Sequence, residues 1–226
     1  KTGEGTIQSK NVGDDFYAYI INTAAGKHLT SDGNNVTMRN ETGKAEQVWH
    51  FQRQSDNSYK IISCLDGKIL DVTNAGTEDG TNLGVCGNND GNAQRWYIYG
   101  ESGAYYFRAR CGELVIDIPG GSTADGENVH MWTYNGGTAQ KFQIQGVTMC
   151  NGVSLDCSSK TLLGRGDTLQ LTGTVLPSDA SHKWLAWSSS NTGVAKVDSN
   201  GLVTAVGEGS ATITARTQDG SNVSAT

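Results

Sequence analysis

Three short stretches decide the fold: "AEQVWHFQ" (45–52), "AQRWYIYG" (93–100) and "AQKFQIQG" (139–146). Their glutamines, Gln47, Gln94 and Gln140, lie 47 and 46 residues apart. Other elements keep the same spacing. "GKHL" (26–29) recurs as "GKIL" (67–70) and "GELVI" (112–116), and "TEDGTN" (77–82) recurs as "TADGEN" (123–128). Each copy opens with an aromatic-rich run: "FYAYII" (16–21), "YKII" (59–62) and "YYFRA" (105–109). Apolar residues alternate at period two, the pattern of half-buried strands. On that reading Gln94 shares a face with Trp96 and Ile98, and Gln140 with Phe142 and Ile144. A glutamine amide beside core residues must find hydrogen-bond partners, most simply the backbone of a neighbouring loop. A short all-β unit cannot bury its apolar face alone, so three such repeats are expected to close into a threefold barrel.

The chain has 226 residues, enough for one large domain or two ordinary ones. Thirty glycines against two prolines suit many short strands joined by glycine turns. Lys plus Arg total 17 against 23 for Asp plus Glu, a net charge of −6, which is not the electrostatic footprint of a nucleic-acid binder. No apolar run approaches the roughly 18 residues of a membrane helix, so no membrane insertion is expected. The first residue is Lys1 with no signal peptide in view, and the chain reads as an excised or processed piece of something longer. The five cysteines, Cys64, Cys86, Cys111, Cys150 and Cys157, form no CxxC motif. Cys150 and Cys157 fall in one extended segment, whose seven residues would hold them about 23 Å apart, too far for a disulfide. His28, His50 and His182 lack metal-ligand spacing, and no metal or cofactor is expected.

Three correlated Gln-x-Trp-type repeats resemble the ricin B-chain-type β-trefoil lectins over residues 12–146. Many bacterial members are carbohydrate-binding modules attached to glycoside hydrolases. The third repeat departs mildly, with Phe142 where the family usually has Trp. From residue 147 onward the composition shifts to Ser, Thr, Val and Ala. "DTLQLTGTVLP", "HKWLAWSSS", "GVAKVDSNGLVTAVGEG" and "SATITART" read as successive strands, with Asn-Gly in "DSNGLV" (198–203) as a hairpin turn. The run "WSSSNTGVAKVDSNGLVTAVGEGSATITA" resembles the group 2 bacterial Ig-like domain, which implies one more strand after "TQDGSNVSAT" than residues 147–226 contain. Trp184 and Trp187 are expected in the Ig-like core. The fold class is therefore all-β: a β-trefoil followed by an Ig-like β-sandwich.

The resemblance implies a sugar site in which a carboxylate follows the "GK-x-L" element and a stacking aromatic lies about fifteen residues later. An aromatic ring covers the C–H face of a pyranose, and a carboxylate accepts charge-assisted hydrogen bonds from its hydroxyls. In the third repeat these are Asp117 and Trp132. Strand alternation through "VHMWTYNGG" (129–137) sends Val129 and Met131 to the core, and His130, Trp132 and Tyr134 outward together. Asn135 heads the glycine loop. On the family pattern Gln140 positions the Asp117 carboxylate, while Ala139 stands where the family has Asn. A weaker second site would use Asp71, Asn88 and Gln94, with Asn89 nearby; its aromatic strand "LGVC" leaves only Gly84 and Cys86 on the site face. The first repeat has Thr30 in place of the carboxylate and presents Thr37 and Arg39, so it is expected to be structural.

No nucleophile elbow, P-loop, dinucleotide fingerprint or HExxH occurs. The leading expectation is a non-catalytic carbohydrate-binding module for a galactose-like, mucin-type or plant glycan such as xylan. It would be joined to an Ig-like spacer and to further domains of a larger secreted or surface bacterial protein. The alternative is a structural or protein-binding adhesion or spacer module. Hydrolysis by the fragment itself is a third possibility, with nothing beyond abundant carboxylates to favour it.

Overall fold

In the computed structural model, which describes residues 9–226, the chain divides into two compact units, the first ending at Val147 and the second running Thr148–Thr226. The first unit repeats a four-strand pattern three times. Lobe one holds β1 (Asp15–Asn22), β2 (His28–Asp32), β3 (Asn35–Arg39) and β4 (Trp49–Arg53). Lobe two holds β5 (Tyr59–Ser63), β6 (Ile69–Val72), β7 (Thr81–Cys86) and β8 (Trp96–Glu101). Lobe three holds β9 (Ala104–Ala109), β10 (Val115–Asp117), a third strand split into β11 (Glu127–Asn128) and β12 (His130–Trp132), and β13 (Phe142–Gly146).

The first and last strands of the lobes pair in a closed ring, β1–β4–β5–β8–β9–β13 and back to β1. Closure leaves the barrel without a free edge. The inner pairs β2–β3, β6–β7 and β10–β12 form three hairpins, joined to one another through β3–β7, β7–β12 and β11–β3. Trp49, Trp96 and Phe142 fill equivalent core positions and are fully buried. The Trp49 and Trp96 indoles donate to the carbonyls of Leu29 and Leu70 at 2.9 and 3.0 Å. Phe142 fills the third position without that bond.

Two threefold sets of amides hold this arrangement. Asn35, Asn82 and Asn128 form a closed ring: Asn35 donates to Asn128 at 2.8 Å, Asn128 to Asn82 at 2.9 Å, and Asn82 to Asn35 at 2.9 Å. The "GNNVTM" stretch (33–38) is thus the first-lobe counterpart of "GTNLGV" and "GENVHM", a relation hidden by the shorter first-lobe hairpin.

The glutamines form the second set. Strand alternation placed them on strands; they lie instead at the last residue of one-turn 3₁₀ helices, Ala45–Gln47, Asn92–Gln94 and Thr138–Gln140. They are nonetheless fully buried, because each turn folds inward ahead of its core aromatic. In every lobe the carboxamide oxygen accepts from the backbone N–H five residues earlier, and the amide donates to the carbonyl seven residues earlier. The pairs are Thr42 and Asn40 for Gln47, Asn89 and Gly87 for Gln94, and Asn135 and Thr133 for Gln140, all between 2.7 and 3.0 Å. One side chain therefore fixes each loop after the third strand, as the burial argument requires.

The second unit is also all-β. Its strands are β14 (Gly152–Leu155), β15 (Thr168–Gln170), β16 (Gly173–Leu176), β17 (Leu185–Ser189), β18 (Ala195–Val197), β19 (Leu202–Ala205), β20 (Ile213–Thr217) and β21 (Ser224–Ala225). They form the sheets β14–β16, β15–β19–β18 and β17–β20–β21. The β18–β19 turn uses Asn200-Gly201, with Gly201 at φ +82°, a left-handed conformation that glycine adopts without strain. Trp187 packs against this glycine, whose added Cβ would lie 2.9 Å from the indole. Trp184 departs from the expected core position: it is 53% exposed and rests against His182. It precedes β17, where Leu185 and Trp187 take the inward phase, so alternation turns Trp184 out. Among the described residues no disulfide is formed. Among the described residues no helix is long and apolar enough to cross a membrane.

Candidate carbohydrate site

The third lobe brings its predicted residues together through register. Asp117 on β10 lies opposite His130 on β12, and Val115 lies opposite Trp132. Paired residues in an antiparallel ladder project to the same face. Ile116 and Met131, the intervening pair, enter the core and are fully buried. His130 Nε2 bonds the Asp117 Oδ2 at 2.8 Å. The Trp132 indole stacks on the His130 ring, with centroids 5.1 Å apart and planes 25° from parallel. Trp132 is 39% exposed, whereas Asp117 is 6% exposed. A recessed carboxylate, an imidazole holding it, and an open indole therefore follow one another across a single face.

Neighbouring groups brace the rim. Gly80 from lobe two flanks the indole, where an added Cβ would make ordinary contact at 3.9 Å. Asp79 accepts from both the backbone N–H and the hydroxyl of Thr133, at 2.6 and 2.9 Å. Both lie in the repeated "TEDGTN", but spacing alone does not say which segment of another lobe that turn meets.

One expectation for this lobe is corrected. His130 Nε2 bonds the carboxylate, while the Gln140 carboxamide bonds Thr133 and Asn135. Tyr134 lies just beyond the strand that carries Trp132. Strand β12 ends at Trp132, and the clamped Thr133 carries Tyr134 onto Tyr106, with ring centroids 4.3 Å apart and planes 27° from parallel. Asn135 sits where expected at the head of the loop, but its side-chain oxygen accepts from Gly137 N–H at 2.7 Å, leaving the amide as its outward donor.

Lobe two is built differently. Asp71 lies opposite Gly84. A Cβ there would come 2.6 Å from the Asn34 carbonyl, so no side chain can occupy the place His130 fills in lobe three. Burial pushes the Asp71 carboxyl above the usual carboxylate range, outweighing the opposing influence of the Gln94 amide. Cys86 is exposed where the indole would stand. Asn88 is not the counterpart of Asn135: its oxygen accepts from Lys60 Nζ at 3.2 Å, and the equivalent residue is Asn89, bonded to Gln94. In lobe one Gln47 donates to the Thr30 hydroxyl at 3.1 Å, and Arg39 is paired with Asp32 at 2.6 Å. Among the described residues no group of three or more His, Cys, Asp and Glu side chains is placed to hold a metal ion.

A closed six-stranded barrel capped by three hairpins, with a carboxylate and an exposed indole on the third, defines a lectin-type β-trefoil. The chain belongs to the ricin-type β-trefoil lectin domain-like family, matched over residues 6–86, 45–132 and 92–161, and carries a group 2 bacterial Ig-like domain over residues 151–226. A 63-residue segment is 49% identical to part of an α-L-arabinofuranosidase of Bifidobacterium longum, covering 28% of this chain and 6% of that protein. The chain spans between 6% and 20% of the length of the curated relatives it matches. Among solved structures, the designed threefold-symmetric protein ThreeFoil aligns with TM-score 0.56 and 32% identity, over 58% of this chain and 99% of its own. A Macrolepiota procera ricin B-like lectin in complex with lactose aligns with TM-score 0.53 and 21% identity, over 61% and 99%, a likeness of fold.

Proposed function

We propose that the trefoil unit binds carbohydrate without catalysing its cleavage, mainly through the third lobe, and serves as a targeting module of a larger secreted or surface bacterial protein. The observation that carries this reading is the pairing of a recessed Asp117 carboxylate, held by His130, with the open face of Trp132. The carboxylate accepts hydrogen bonds from two sugar hydroxyls, the indole covers the C–H face, and the Asn135 amide donates from the rim. The arrangement suits a galactose-like unit of a free, mucin-type or plant glycan. The match to a segment of a much longer glycosidase supports the role of an accessory module. Asp71 and Gln94 give lobe two at most residual affinity, because it has no aromatic plate.

A shallow site of this size gives Kd on the order of 0.01–1 mM, and retention on a polymeric glycan then comes from several copies acting together. Titration with galactose, N-acetylgalactosamine, lactose and xylo-oligosaccharides tests the reading. Binding lost in both Trp132→Ala and Asp117→Ala, with melting unchanged, supports it. No binding across the panel would replace it with a structural or protein-binding role. Turnover of chromogenic glycosides would refute the non-catalytic assignment.

A further inference from the structure

We propose that Tyr134 forms a second stacking subsite beside Trp132, so that the third lobe recognises two linked sugar units rather than a single monosaccharide. This rests on the carbohydrate reading above and adds to it the length of the ligand. Tyr134 is the outermost ring of a continuous stack. Its inner face covers Tyr106, whose other side meets Tyr99 with ring centroids 5.3 Å apart and planes 23° from parallel. The Arg108 guanidinium closes the far end, 5.2 Å from the Tyr99 centroid and 5.8 Å from that of Tyr97, and is itself paired with Glu113 at 2.7 Å. Tyr99 is 6% exposed, whereas Tyr134 is 46% exposed. One face of the Tyr134 ring is thus covered and the other is open.

The backbone on both sides of Tyr134 is also fixed. Asp79 holds the Thr133 N–H, while Gln140 holds the Thr133 carbonyl and the Asn135 N–H. A ring held this way has already lost the freedom that binding would otherwise remove. Among the described residues of the trefoil, the large apolar side chains that stay exposed are Leu65, Trp132 and Tyr134. Two of these three therefore stand at the end of β12 and in the loop that follows it. They belong to separate stacks, on His130 and on Tyr106, and so present two plates rather than one. Two residues of chain hold their Cα atoms at most about 7 Å apart, so the two rings rise from neighbouring points of the rim. The ligand class that fits is an unbranched di- or oligosaccharide: its first unit lies on Trp132 with hydroxyls on Asp117, and its second unit turns a C–H face to Tyr134.

The test is titration of the whole chain with galactose against lactose, and with xylose against xylobiose, for wild type, Tyr134→Ala, Tyr134→Phe and Trp132→Ala. In at least one series wild type is expected to bind the disaccharide about threefold to tenfold more tightly than the monosaccharide, the range of one aromatic contact. Tyr134→Ala abolishes that ratio and leaves monosaccharide affinity unchanged, Tyr134→Phe keeps the ratio, and Trp132→Ala loses both ligands. A ratio near one in wild type, or a ratio that survives Tyr134→Ala, overturns the second subsite while leaving the first intact. Equal weakening of both ligands in Tyr134→Ala also overturns it, since the ring would then serve the first unit. Failure of wild type to bind any of the four sugars removes the subsite together with the carbohydrate reading.

Discussion

Replacing each repeat glutamine in turn by leucine separates a structural role from a ligand role. The three amides make the same pair of backbone bonds, so the lobes act as controls for one another. Leucine keeps most of the volume but leaves one N–H and one carbonyl unpaired. An orphaned buried polar group costs about 1–3 kcal/mol, and these loop groups are only partly buried, so about 2–4 kcal/mol is expected per substitution. For a unit of this size that lowers the melting temperature by about 5–15 °C. Urea unfolding followed by tryptophan fluorescence measures the loss. All three variants should lose comparable stability, but only Gln140→Leu should also weaken glycan binding, because its loop alone carries Tyr134 and Asn135. If Gln140→Leu abolished binding with no loss of stability, the amide would be acting on ligand or carboxylate, and the geometric account would be wrong.

Other consequences follow from individual contacts. Asn82→Ala breaks two of the three ring bonds and should cost about 2–4 kcal/mol in urea unfolding, whereas replacing Asn35, Asn82 and Asn128 together by leucine should cost less than that single change, because no amide is left orphaned. Asp71 has a raised carboxyl pKa in the folded chain, so its ionisation opposes folding as pH rises from its unfolded value through its folded value. Asp71→Asn should therefore raise the melting temperature at neutral pH, and the gain should vanish in acid where both states hold the proton; an equal gain at every pH would contradict this. Burial and the neighbouring Asp219 push the Cys150 thiol up to about 12, so an alkylating reagent at pH 8 should label the exposed Cys86 readily and Cys150 only on unfolding, as peptide mass spectrometry would show.

The trefoil is legible in the sequence because repetition at a fixed interval marks units that must share a core. Gln47, Gln94 and Gln140 carried that signal, and the aromatics two residues beyond each of them turned out to be core anchors. Alternation sorted Val129 and Met131 from His130 and Trp132 correctly, because β12 is regular for those residues. The expectation of a core place failed at Trp184, which the phase of β17 turns outward.

The linear chain thus determined the threefold barrel, the Ig-like unit and the placing of Asp117 and Trp132 on one face of a hairpin. These depend on local periodicity and register, which consecutive residues encode. Tertiary structure decided that His130 rather than Gln140 holds the carboxylate, that the Asn34 carbonyl bars a side chain at Gly84, and that Tyr134 leans on Tyr106. Each of these is a contact between different strands or loops, within lobe three for His130 and Tyr134 and between lobes for Gly84, settled by which groups must satisfy one another once the strands have packed.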